Sequence, residues 1–134
     1  MIIEIWDYIL PKKGTQIRVK RSNFFHHGIY ISDEEVIHFG SGNEINETYV
    51  NSYVQKTSLA EFLNGGLLEV RIYSKTEKKK LKPIKKIIEC ARNNVGSDGY
   101  KLLENNCEHF SNMCAFGESY SIQANNIKDK YKKE

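Results

Sequence analysis

The run Phe24-Phe25-His26-His27-Gly28-Ile29-Tyr30-Ile31, followed after Ser32-Asp33-Glu34-Glu35 by Val36-Ile37-His38-Phe39, decides the fold. Aromatic and β-branched residues on either side of a polar, acidic quartet are the pattern of two antiparallel strands joined by a tight reversal. With the reversal centred on Ser32, residue 26 pairs with 38, 28 with 36 and 30 with 34. Strand side chains alternate, so His26, Gly28, Tyr30, Val36 and His38 share one face, while Phe25, His27, Ile29, Ile37 and Phe39 take the other. His26 is expected to meet His38 directly. Gly28 beside them leaves room for a helix end or a substrate to approach the sheet.

Working outward, Gln16 to Val19 and Leu67 to Tyr73 read as further strands, the second introduced by the turn cluster Asn64-Gly65-Gly66. The period then changes. Ile84, Ile87, Ile88, Ala91 and Val95 recur at helical spacing, with Pro83 near the start and Gly96 past the end. A second helix is expected from about Cys107, because Asn105 and Asn106 are good N-cap residues, Phe110, Met113 and Cys114 continue the stripe, and Gly117 stops it. Strands in the front half and helices behind predict an α+β class. No repeat or Pro-rich linker divides the chain, so residues 1–124 are read as one domain and the Lys-rich residues 125–134 as a tail.

The 134 residues suffice to bury a core without disulfides or a structural metal. Three cysteines, Cys90, Cys107 and Cys114, include no CxxC pair and suit a reducing, cytoplasmic setting. Glu4 and Asp7 interrupt the opening residues, so no secretory signal is expected, and no run of about 18 apolar residues predicts a membrane span. The net charge of +3 hides an uneven distribution, with Lys75, Lys78, Lys79, Lys80, Lys82, Lys85 and Lys86 set against Glu77 alone. This stretch reads first as a solvated loop and the outer face of a helix. Without an RNP-like or helix-turn-helix pattern beside it, no nucleic-acid role is expected.

Cys107 has the company that makes a cysteine chemical. At the first turn of a helix, the macrodipole and free N–H groups favour the thiolate and can receive the oxygen of a tetrahedral intermediate. Cys90 and Cys114 fall on helical core stripes and read as packing residues. A thiol nucleophile needs a base, and the base a third group that fixes its tautomer. The hairpin supplies both in His26 and His38. His27, on the opposite face, reads as a surface or packing histidine. His109 stands about 200° round the helix from the thiol and reads as a structural hydrogen-bonding group. Zinc is not expected, since the side chains of Cys107 and His109 diverge and Cys114 faces the core. Neither metal nor cofactor is called for. The oxyanion-hole partner stays unassigned, with Tyr30 one polar group that could reach the site.

In order along the chain, His26-His27-Gly28-Ile29-Tyr30-Ile31, Val36-Ile37-His38-Phe39 and Asn106-Cys107-Glu108-His109-Phe110 resemble the lecithin:retinol acyltransferase family. The likeness continues through Phe116-Gly117 to Ser121 and Gln123, and reaches back to Trp6-Asp7-Tyr8-Ile9. The resemblance implies a circularly permuted papain-like, NlpC-type fold. It also implies His26 as general base, His38 as the residue orienting it and Cys107 as the nucleophile that forms a thioester. The implied activity is acyl transfer or phospholipase A-type hydrolysis of an acyl-bearing small molecule or lipid. The same dyad would serve a thiol amidase or peptidase, or persist in a binding module without turnover. His27 stands where better-known animal members have tryptophan, and no hydrophobic anchor is expected after the domain. Lys78, Lys79 and Lys80 offer transient contact with an anionic membrane instead.

Overall fold

The computed structural model describes residues 4–22, 24–40, 53–98 and 106–117. Among these residues, six strands form one antiparallel sheet: β1 (Ile5–Asp7), β2 (Thr15–Lys20), β3 (Phe25–Ser32), β4 (Glu35–Gly40), β5 (Tyr53–Thr57) and β6 (Leu68–Ile72). Their spatial order is β1-β6-β2-β3-β4-β5, which puts the histidine-bearing β3 near the middle with a strand on each side. Helices pack on both faces of this antiparallel sheet, and the class is α+β, as expected. The expected residues 125–134 lie outside the described ones.

The hairpin forms, but its register differs from the expected one. Gly28 pairs with His38, Ile29 with Ile37 and Tyr30 with Val36, and the ladder shifts between Tyr30 and Ser32, where Ser32 pairs with Glu35. Asp33 and Glu34 make the reversal, one residue later than a turn centred on Ser32. Each cross-strand partner is therefore displaced by two residues, an even number, and the alternation of faces survives.

One face is covered by α1 (Leu59–Leu63), whose Phe62 packs among Ile17, Val19, Val36 and Val70. Burying that ring stabilises the fold by about 1.5–3 kcal/mol. Gly28 makes the approach possible, since a Cβ there would stand 2.9 Å from Phe62 Cε1. The space expected for a helix end or substrate is thus filled by α1. The opposite face carries Ile29, Ile31, Ile37 and Phe39 and meets α3 (Ile84–Asn93) and α4 (Cys107–Phe116) through Ile87, Ile88, Ala91, Phe110 and Cys114.

Helix α3 begins after Pro83 and ends before Gly96, although Val95, expected within its stripe, lies beyond the last turn and is exposed. The lysine run forms α2 (Lys75–Lys80), none of whose residues is buried. Ser58 with Glu61 and Ser74 with Glu77 close reciprocal capping boxes at α1 and α2, satisfying backbone donors that short helices otherwise leave free. Among the described residues, no helix is long and apolar enough to cross a membrane.

Candidate active site

Cys107 is the first residue of α4, and the cap sets its position. Asn106 Oδ1 accepts the His109 backbone N–H at 2.9 Å, and His109 Nδ1 accepts the Asn106 N–H at 3.1 Å. This is a capping box with an imidazole where Glu or Gln usually stands. It gives His109 the structural bonding role expected of it. Gly117 ends the helix at φ +76°, a left-handed conformation that glycine adopts without a side-chain clash. Eight of the ten helical residues are buried, so α4 is wedged against the sheet and its first turn faces β3.

The thiol is 1% exposed. Sγ donates to the Phe25 carbonyl at 3.7 Å and lies 4.0 Å from His27 Nδ1. His26 was expected in that place. The correction follows from the alternation of β3: α4 packs on the face that carries His27 and Ile29, and His26 projects from the other side of a strand with neighbours on both edges. The expected placement of Gly28 and the two histidines on one face holds. The expectation that α4 approaches that same face does not.

Burial governs the electrostatics on the Cys107 side. It pushes the thiol up to about 12, against the backbone N–H groups of His27, Glu108 and Cys107 itself, which pull it down; the Glu108 carboxylate adds to the rise. The helix-end effect expected to favour the thiolate is present, and desolvation outweighs it. Burial likewise lowers His27 to about 4, opposed by Glu108 and reinforced by Arg18. The resting pair is a neutral thiol beside a neutral imidazole. Among the described residues, His27 Nε2 is buried without a hydrogen-bond partner, and its 3.9 Å approach to Glu108 Oε2 is an electrostatic contact too long for a hydrogen bond. Trp6 meets the His27 ring edge-on at 5.6 Å, and the Arg18 guanidinium lies over both Trp6 and Phe25.

On the far face, His26 Nε2 and His38 Nδ1 are 2.9 Å apart, and His38 Nε2 is 3.1 Å from Thr57 Oγ1. The His26 ring stacks on Phe62 and lies over Gly40, where a Cβ would come within 2.9 Å of His26 Cε1. His26 is diagonal to His38 in the observed register. Burial holds His26 well below the usual imidazole range and lowers His38 to about 4. His26, His38 and the Thr57 hydroxyl are thus joined in one chain of hydrogen-bonding contacts on the face away from Cys107.

The remaining sequence candidates fall elsewhere. Tyr30 donates to Asp33 at 2.6 Å in the hairpin turn, away from Cys107. Cys114 is buried and Cys90 packs beside it, and burial with the neighbouring thiol pushes Cys114 up. Among the described residues, no three His, Cys, Asp or Glu side chains gather as a metal site. The sequence reading set aside His27 and overlooked Glu108. The signal that could have found Glu108 is its adjacency to Cys107 in the first turn of α4.

Comparison with known proteins bears on the arrangement. The family profile described as lecithin retinol acyltransferase matches residues 10–120. The chain belongs to that family. Its α+β sheet, packed by helices with the histidine strands ahead of the cysteine helix, is the NlpC-like fold of the family. Rat lecithin retinol acyltransferase is 28% identical over 132 residues, covering 84% of this chain and 57% of that protein. Human phospholipase A and acyltransferase 2 is 30% identical, covering 84% of this chain and 75% of that protein. Rat phospholipase A and acyltransferase 5 is 31% identical, over 87% and 43%. The chain thus spans little more than half the length of the lecithin retinol acyltransferases it matches.

Proposed function

We propose that this chain transfers or hydrolyses acyl groups taken from a phospholipid ester, through a thioester on Cys107. The observation that carries the reading is the position of Cys107 in a chain of this family: first residue of a capped helix, its sulfur against a histidine-bearing strand. The names of the relatives, acyltransferases and phospholipases, support the reaction class.

In the proposed cycle the thiol loses its proton to a histidine, and Sγ attacks the ester carbonyl carbon. The tetrahedral intermediate places its oxygen toward the N–H groups of the first turn of α4. It collapses to a thioester as the leaving alkoxide takes the proton back. Water, an alcohol or an amine then attacks the thioester and frees the thiol. Because burial is the largest contribution to the raised Cys107 value, uncovering Sγ to admit the ester also makes its ionisation easier.

For the base, the motif assigns His26, with His38 orienting it, and the 2.9 Å bond between them supports that pairing. Engagement with Cys107 then requires α4 and the end of β3 to rearrange. A second assignment rests on one observation, the 4.0 Å separation of Sγ from His27 Nδ1, which makes His27 the base without rearrangement.

Intact-protein mass spectrometry after incubation with short-chain phosphatidylcholine tests the reaction. An acyl adduct is expected on the wild type and none on Cys107→Ala. An adduct that survives Cys107→Ala, or no adduct and no released fatty acid, sinks the thioester. The separate variants His26→Asn and His27→Asn decide the base. Loss of roughly 10²–10⁴-fold in kcat/KM belongs to the true one.

A further inference from the structure

Strands β1 and β2 run parallel on either side of β6, so the segment between them, residues 8–14, must cross β6. It does so with its apolar side chains turned to solvent. Leu10 is 88% exposed, Tyr8 68% and Ile9 44%, three consecutive large hydrophobic residues that the core does not use. Scattered apolar residues on a surface are ordinary, but three in succession, with Asp7 on one side and Lys12 and Lys13 on the other, form a contiguous apolar tip.

Between this crossing and the sheet runs a groove of about 280 Å³ lined by Ile9, Leu10, Val70, Ile72 and Tyr73, with Lys12 and Lys78 among its walls. Lys78 belongs to α2, whose lysines Lys75, Lys78, Lys79 and Lys80 are all exposed. The only acidic residue of α2, Glu77, is engaged by Arg71 and by the cap at Ser74. The lysines are therefore not neutralised within their own helix. An apolar tip, an apolar groove and the exposed ammonium groups of Lys12 and of α2 are together complementary to an anionic bilayer, where acyl chains lie beneath phosphates.

We propose that Tyr8, Ile9 and Leu10 enter the boundary between headgroups and acyl chains of an anionic phospholipid bilayer, while Lys12, Lys78 and the neighbouring lysines of α2 meet its phosphates. The inference adds to the acyl-transfer reading the surface that brings the protein to its donor, and rests on that reading only for its purpose. Lys12 and Lys78 stand at the groove itself and are the pair through which the contact is best probed.

Sedimentation with vesicles of phosphatidylcholine alone, and of phosphatidylcholine mixed with phosphatidylglycerol, tests it, alongside turnover of monomeric short-chain phosphatidylcholine. The wild type is expected to sediment with the mixed vesicles and to release as salt rises. Lys12→Gln with Lys78→Gln should weaken binding about 25-fold, near fivefold for each lysine. Ile9→Ser with Leu10→Ser should weaken it by at least about tenfold, and monomer turnover should stay unchanged in both. Equal sedimentation of wild type and Lys12→Gln/Lys78→Gln overturns the proposal, as does capture by soluble polyglutamate in place of vesicles. If the Ile9/Leu10 variant unfolds, the lysine pair still decides. Turnover of monomer without vesicle binding removes the docking face alone; vesicle binding without turnover removes the acyl-transfer reading and leaves the docking face standing.

Discussion

The Sγ of Cys107 and Nδ1 of His27 lie 4.0 Å apart in a site that water hardly reaches. Two groups that could exchange a proton are thus held together in their uncharged forms, the thiol raised to about 12 and the imidazole lowered to about 4. In the folded protein, alkylation of Cys107 by iodoacetamide is expected to be slower than that of a free thiol at pH 8 and to rise with pH through 10 without a plateau. His27→Ala opens the site to water and should accelerate labelling by about tenfold, since each unit of pKa relief is about a tenfold gain in thiolate. Peptide mass spectrometry of the three cysteines measures both. A plateau below pH 7 would reveal a thiolate already formed and contradict the burial argument.

Three buried histidines also tie stability to pH. His26, His27 and His38 all have depressed values in the fold, the latter two at about 4, against an ordinary 6.5. Between those values the unfolded chain binds more protons than the folded one, so stability is fully present above about pH 6.5 and is lost as pH falls toward 4. His38 alone accounts for about 3 kcal/mol over that window. Urea midpoints taken from pH 7.5 to 4 should fall steeply, and His38→Asn should flatten the fall. A pH-independent midpoint would mean that these histidines are hydrated in the native state.

The cap of α4 fixes where the thiol sits, and it uses His109 for the purpose. His109→Ala removes the acceptor for the Asn106 N–H and should cost about 1 kcal/mol, whereas His109→Gln, which can complete an ordinary capping box, should cost less. Thermal unfolding at pH 7.5 separates the two. Equal losses would assign His109 to packing alone.

Much of this was legible in the residues, and what was not has identifiable causes. The helix over 84–93 showed in its apolar spacing, and the start of α4 in Asn106 and Cys107, because capping and periodicity are local signals. The hairpin was legible and its register was not: the shift between Tyr30 and Ser32 depends on how β3 and β4 twist around an irregular turn. The capping-box patterns Ser58-x-x-Glu61 and Ser74-x-x-Glu77 stood in the sequence and would have revealed α1 and α2. Three-residue β1 had too little alternation to register. For the site, alternation correctly grouped His26 with His38. Which face of the sheet receives α4 is a matter of tertiary packing, and no local pattern encodes it.

Gly40 offers a way to separate the two histidines without touching either. A Cβ at this position would stand 2.9 Å from His26 Cε1, and the ring cannot retreat freely because Phe62 is stacked on it and His38 is bonded to it. Gly40→Ala must therefore displace His26 from His38, at a cost of about 1–3 kcal/mol in stability. His27 and Cys107, on the other face, feel no new atom. If His26 is the base, turnover per folded molecule falls well beyond what the stability loss explains, and the alkylation rate of Cys107 stays as it was. Turnover per folded molecule equal to wild type would assign proton transfer to His27 and leave the His26–His38 pair a structural element of the α1 face.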